Sequence, residues 1–146
     1  MRWSGGPVRL TILGQPCSLK NSRDQIPNPR APGKWISVPG KTARRYLRDF
    51  NKQAPILQPL IECDVSVTIR IFYSWNGPDL DEALILDAMQ KRIYKNDRQV
   101  REKHVYHAID KDNPRAEIIV APREGALFQA AGVAALNRSL LACAAA

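Results

Sequence analysis

A chain of 146 residues with 22 Lys and Arg against 14 Asp and Glu, a formal net charge of +8 and a pI near 9.8 has room for one core and not for two. The positive excess points to a polyanionic partner, nucleic acid or an anionic membrane surface, and away from acidic repulsion-driven solvation. Cys17, Cys63 and Cys143 are odd in number and form no C-x-x-C, so neither a disulfide framework nor a zinc site is suggested. Met1-Arg2-Trp3 runs straight into Ser-Gly-Gly-Pro without the pattern of a secretory signal, so a cytoplasmic protein is expected.

In chain order, "VRLTIL" (Val8 to Leu13) predicts a first strand closed by the turn-like "GQP" at Gly14 to Pro16. Cys17 to Lys34, rich in Pro, Asn, Ser and basic residues and without an apolar period, predicts an irregular, mobile loop. "WISV" (Trp35 to Val38) can form a short strand. "GKTARRYLRDFNKQA" then sets Ala43, Tyr46, Leu47 and Phe50 at helical spacing with Lys41, Arg44, Arg45, Arg48 and Lys52 mostly on other faces. That basic amphipathic helix presents either a solvated face or a stripe for phosphates, and the spacing alone does not choose.

"ECDVSVTIRIFYSW" alternates Val65, Val67, Ile69 and Ile71 against Asp64, Ser66, Thr68 and Arg70, a strand. After "NGPDLDE", the run "ALILDAMQKRI" carries Leu84, Ala88 and Met89 on a helical face, and "HVYHAI" and "AEIIVAP" predict two strands around the turn "DKDNPR". The expectation is an α+β fold: one small domain over residues 1–122, a mixed β-sheet with two main helices packed on it, and an Ala-rich C-terminal appendage over 123–146. Gln129, Asn137 and Arg138 make that appendage a poor membrane span, and no membrane role is assigned.

Three carboxylates, Asp79, Asp81 and Glu82, gather in "GPDLDE" on this basic chain. In an extended segment Asp79 and Asp81 share a side about 7 Å apart and could turn toward one ion. Without a cation, two such charges would repel and raise one pKa, so a hard divalent ion is the usual reason to gather them. Helix capping competes: it explains Asp81 and, less well, Glu82, but not Asp79, which lies behind Pro78. Asp97, in "YKNDRQV" beyond the same helix, could return to the cluster. "DKDN" (Asp110 to Asn113) is literally D-x-D-N, yet it sits in a Pro-terminated turn between strands where Asp and Asn are ordinary. His104 and His107, three apart on an extended strand, face opposite sides and receive no role.

The order strand, D-L-D, helix with D-A-M, then Y-K-N-D-R-Q-V and two strands resembles the RusA-type Holliday-junction resolvases. "GQPCSLKNSR" is similar to that family's first strand and loop, and "SVPGKTARRYLRDF" to the short strand and basic helix after it, so the resemblance covers roughly Val8 to Pro122. It implies a metal-dependent endodeoxyribonuclease that, as a homodimer, resolves four-way junction DNA by paired symmetric nicks in recombination and repair, at the nucleoid or phage-encoded in a bacterial cytoplasm. By position Asp79 and Asp81 match the paired aspartates and Asp97 the third catalytic one, with Glu82 as a further ligand to Mg²⁺ or Mn²⁺. Lys20, Arg23, Arg30 and Lys34 from the loop and Lys41, Arg44, Arg45 and Arg48 from the helix would hold backbone phosphates.

Two departures stand out. Glu82 replaces the family's Asn, and the catalytic lysine is missing: its place is Ile85 counting from Asp79 and Ala83 counting back from Asp87, the linker being shorter than the pattern. Among stand-ins, Lys91 lies about 15 Å from Asp81 by helical rise. Lys95 is preferred, and Lys20 is the third. The alternative from another class is a non-catalytic or catalytically weakened junction-DNA-binding protein on the same scaffold; an RNA-binding module is weaker, since no RNP-like aromatic block or GXXG is present.

Overall fold

The computed structural model describes residues 5–123, so the expected Ala-rich appendage, apart from Arg123, lies outside the described residues. β1 (Val8–Leu13), β2 (Arg23–Pro27), β3 (Trp35–Pro39) and α1 (Lys41–Gln53) come first, then β4 (Val65–Tyr73), α2 (Ala83–Met89), a 3-10 turn (Asp97–Gln99), β5 (Val100–Ile109) and β6 (Arg115–Pro122). The main sheet has the order β1-β6-β4-β5, and β2 and β3 form a separate two-stranded ribbon. β6 runs antiparallel to both β1 and β4, while β4 and β5 are parallel, so the sheet is mixed. A parallel pair cannot be joined by a tight hairpin, and α2 lies in the crossover between β4 and β5.

The alternation in β4 decides the core. Val65, Val67, Ile69, Ile71 and Tyr73 are buried on one face with Leu10 and Ile12 of β1 and Ala116, Ile118 and Val120 of β6. Tyr46 and Phe50 of α1 and Leu84, Ile85, Ala88 and Met89 of α2 join the same core. Each large apolar side chain so buried contributes about 1.5–3 kcal/mol. The expected α+β fold, a mixed sheet with two main helices, therefore stands, with the β2–β3 ribbon in addition to it.

Ser22 positions α1 from outside the helix: its hydroxyl accepts from Ala43 N at 3.3 Å, and its carbonyl accepts from Gly40 N at 2.7 Å. A Cβ on Gly40 would come within 3.0 Å of the Ser22 backbone, which explains the glycine at this close approach. Gln53 clasps the other end, accepting from Leu13 N at 2.7 Å and donating to Leu13 O at 3.0 Å.

The loop expected from Cys17 to Lys34 is more ordered than its composition suggests. Arg23–Pro27 forms a strand, β2, with every residue exposed, so no apolar alternation marked it. It exists because β3 pairs with it, from Arg23 opposite Pro39 to Pro27 opposite Trp35. Likewise α2 stops at Met89, where "ALILDAMQKRI" suggested further turns, and Lys91 follows with φ of 61°. β5 begins at Val100, four residues before the expected "HVYHAI". Asp110 to Asn113 is the β5–β6 turn as expected, with Asn113 N donating to Asp110 Oδ1 at 3.1 Å. Cys17 and Cys63 are half-buried free thiols. Among the described residues no helix is long and apolar enough to cross a membrane.

Candidate active site

The chain leaves β4 at Tyr73, arches through residues 74–82 and enters α2. Both feet of this arch are tied down. At the first foot Gln15 Oε1 accepts from Ser74 N and from Ser74 Oγ, each at 2.8 Å. At the second, Tyr73 reaches back so that its hydroxyl donates to Asp79 O at 3.0 Å, while Asp81 N approaches the same hydroxyl oxygen at 3.4 Å. The buried Tyr73 ring is braced by His107 of β5, stacked at 4.9 Å between centroids.

Asp81 is the most heavily bonded of the acids. Its Oδ1 accepts from Ala83 N, the first amide of α2, at 3.0 Å, ahead of the N-cap residue Glu82, and its Oδ2 accepts from Ser18 Oγ at 2.8 Å and Leu19 N at 3.1 Å. Partial burial pushes its pKa up, but the donors Ala83 N, Ser18 Oγ and Leu19 N outweigh that and hold it below the ordinary carboxylate value. Asp81 therefore serves two neighbours at once: one side of the carboxylate holds the first amide of α2 while the other binds the β1–β2 loop. Asp79, exposed, makes no side-chain hydrogen bond or ion pair among the described residues.

Glu82 is engaged by a residue that the sequence did not single out. Lys103 of β5 forms an ion pair with Glu82 Oε1, with Glu82 only 19% exposed. In the β4–β5 register Lys103 stands opposite Val67 and His107 opposite Ile71, so both lie on the face of β5 that the buried side chains of β4 share. The signal was present: four residues apart on a strand, Lys103 and His107 share a face, but with β5 begun at His104 the lysine fell outside the strand. Lys95, the preferred stand-in, is held by Glu62 in the segment before β4. Of the two counted places for the family lysine, Ile85 is fully buried, and an ammonium there would be desolvated without a partner.

Asp97 belongs to a second acidic neighbourhood. Asn96 and Gln99 build its turn as a capping box, with Arg98 N donating to Asn96 Oδ1 at 2.9 Å and Asn96 N donating to Gln99 Oε1 at 2.9 Å. Gln99 Nε2 also donates to Ile61 O at 2.8 Å and Cys63 O at 2.9 Å, which pins the turn to the start of β4. The block "NDRQV" therefore presents Asp97 to solvent from a fixed base. Burial and then the charge of Asp97 raise the pKa of Asp87 on α2, while Arg23 of β2 opposes them.

The charges of Asp79, Asp81 and Glu82 thus act on Tyr73, whereas the charge of Asp97 acts on Asp87. Among the described residues no group of three or more His, Cys, Asp or Glu is assembled to hold one metal ion. The donor set nonetheless suits a hard divalent cation in kind: an unengaged carboxylate at Asp79 beside one at Asp81 that stays ionised.

The expected phosphate-binding residues are distributed over the β1–β2 turn, the ribbon and α1. Lys20 sits in the turn whose backbone also bonds Asp81. Arg23 is at the base of the ribbon, Arg30 and Lys34 are at its tip, and Lys41, Arg44, Arg45 and Arg48 are spread along α1. Three are partly engaged: Arg23 donates to Ser37 Oγ at 3.5 Å, Arg44 pairs with Asp24 of β2 at 3.3 Å, and Arg48 stands 4.0 Å from Asp49.

Residues 21–121 match the family model described as endodeoxyribonuclease RusA, a span holding β2 through β6 apart from the last residue of β6. No curated protein matches the chain.

Proposed function

Because the chain belongs to the RusA family of endodeoxyribonucleases, a family of Holliday-junction resolvases, we propose that it cuts four-way DNA junctions by a divalent-metal-dependent reaction, as a homodimer that makes paired symmetric nicks. The observation that carries this reading is the arch: three acids held around Tyr73 at the end of the central strand, with Lys103 brought to them from β5. A nuclease needs carboxylates and a cation beside one phosphate, and a binding protein of net charge +8 has no use for acids there.

Asp79 and Asp81 would hold Mg²⁺ or Mn²⁺, with Asp97 as the third acid once DNA is bound. When bound, the ion supplies Lewis acidity at the phosphate and lowers the pKa of a water. The chain's own part is to orient and to neutralise. The donors at Ser18, Leu19 and Ala83 keep Asp81 ionised and fixed in direction. Lys103 supplies positive charge that can leave Glu82 for the phosphate oxygens as negative charge grows on them, the role expected of a missing lysine near Ala83. A two-fold dimer matches a two-fold junction, and Arg and Lys of the ribbon and α1 grip phosphates without reading bases.

The test is cleavage of a synthetic four-way junction and a matched linear duplex, each with and without Mg²⁺. Paired nicks in the junction alone, and only with metal, are expected. Binding without cleavage in any divalent metal would make the chain a junction-binding protein, and equal cutting of the duplex would make it a general nuclease.

A further inference from the structure

Trp75 stands out among the exposed apolar residues, with 63% of its surface open to solvent. It is also fixed. Its six-membered ring lies over Gly77, so close that a Cβ at residue 77 would fall 1.8 Å from Cη2 and Cζ3 and 2.4 Å from Cζ2. Gly77 does not have a positive φ, so the ring, not the backbone, is what excludes a side chain there.

The ring's support is the same arch that carries Asp79. Ser74, the residue before Trp75, is bonded twice to Gln15, and Asp79, four residues after it, is bonded to Tyr73. An isolated exposed apolar side chain needs no explanation. An indole laid on a glycine within an arch bonded at both feet is different, because that packing already restricts its rotamers before anything binds.

We propose that Trp75 is a stacking platform for a DNA base freed from its stack at a branch point, and so helps to distinguish junctions from duplex. Every base has a π-face, and stacking on an aromatic side chain contributes about 1–3 kcal/mol per base, or roughly five- to 150-fold in affinity. A continuous duplex offers no free base face, so the gain is confined to branched or open DNA. The positive charge of the chain brings the phosphates in. This inference rests on the junction-nuclease reading and adds a residue that touches the base instead of the phosphate.

The experiment uses the full chain without metal and a four-way junction carrying 2-aminopurine at the exchange point, beside a linear duplex with the same label. Wild type should quench the label in the junction only. Trp75→Leu should abolish the quench and weaken junction binding roughly five- to 150-fold with duplex binding unchanged, while Trp75→Phe keeps part of both. Gly77→Ala should mimic Trp75→Leu by displacing the ring while leaving the side chain present, and circular dichroism of each variant checks the fold. Unchanged quenching in both Trp75→Leu and Gly77→Ala, or equal losses on junction and duplex, overturns the proposal. Parallel cleavage of unlabelled junction in Mg²⁺ separates the two readings: wild type that quenches but never cuts defeats the nuclease reading alone.

Discussion

The acid arch and the basic ribbon sit on one small domain and are built in opposite ways. Residues 74–82 are fixed by Gln15, Ser18, Leu19 and Tyr73, side chains and backbone drawn from two other stretches of chain. Residues 23–39 are held mostly by the pairing of β2 with β3 and by the Arg44–Asp24 pair, with most side chains exposed. Bond-breaking chemistry loses rate steeply when a group is misplaced by an ångström, whereas a phosphate grip tolerates adjustment and gains from reach. Substitutions in the arch should therefore act on turnover, and those in the ribbon and α1 on affinity and its salt dependence.

The sharpest way to break that contrast is to remove the acids. Asp79→Asn, Asp81→Asn and Asp97→Asn are each expected to lower single-turnover junction cleavage by about a thousandfold or more, with binding unchanged or tighter, since negative charge near phosphate is removed. Asp79→Asn is the cleanest, because its carboxylate supports nothing else among the described residues. Any one of these variants that cleaves near the wild-type rate is removed from the site.

Next in size is the lysine. Lys103→Ala should slow single-turnover cleavage roughly a hundredfold, about 2.7 kcal/mol, with little change in binding, and Lys103→Arg should recover part of it. Lys95→Ala, with its partner Glu62 before β4, should leave the rate alone. The reverse result would return the role to Lys95 and leave Lys103 as a tether for Glu82.

A stability effect follows from the bonds on Asp81. Asp81→Ala should destabilise the fold by about 2 kcal/mol at neutral pH, since it removes three hydrogen bonds to a charged acceptor, from Ala83 N, Ser18 Oγ and Leu19 N. The folded pKa is lowered from the ordinary 3.8, so this contribution is present above that value and fades as pH falls through the folded pKa. Chemical denaturation of both proteins at neutral pH and near pH 3 checks it: the gap should narrow in acid, and a gap independent of pH would mean that packing, not charge, holds the arch.

The strands with a buried face were legible because burial imposes a period: β1, β4 and β6 were readable from apolar alternation, and α1 from its helical spacing. β2 was not, since all five of its residues face water and its existence depends on a partner strand eight residues on. The acids were visible as a spacing, but their supports were not. Ser18, 63 residues before Asp81, and Lys103, 21 residues after Glu82, meet them only through the fold. Register supplied what spacing could not: the parallel β4–β5 pairing turns Lys103 toward the core face.

The smallest effect tests the other half of the contrast. Neutralising a phosphate releases counterions, so the slope of log K against log salt falls by about 0.9 for each phosphate on a duplex arm that the protein ceases to neutralise. Replacing Arg44, Arg45 and Arg48 together by neutral residues could thus flatten the slope by up to about three units. Arg44, however, is paired with Asp24 at 3.3 Å, with both side chains about half exposed. An exposed pair of this kind contributes little to stability, and the arginine must leave or share its partner to reach a phosphate. Arg48 stands farther from Asp49, at 4.0 Å, and Arg45 forms no ion pair among the described residues. The expected flattening is therefore nearer two units than three, and Asp24→Asn alone should steepen the slope slightly by freeing Arg44. Cleavage rate at saturating protein should stay within a factor of a few in all these variants. An unchanged slope would make the α1 stripe a solvated face, and a collapse of the saturated rate would erase the division between an arch that reacts and a ribbon and helix that hold.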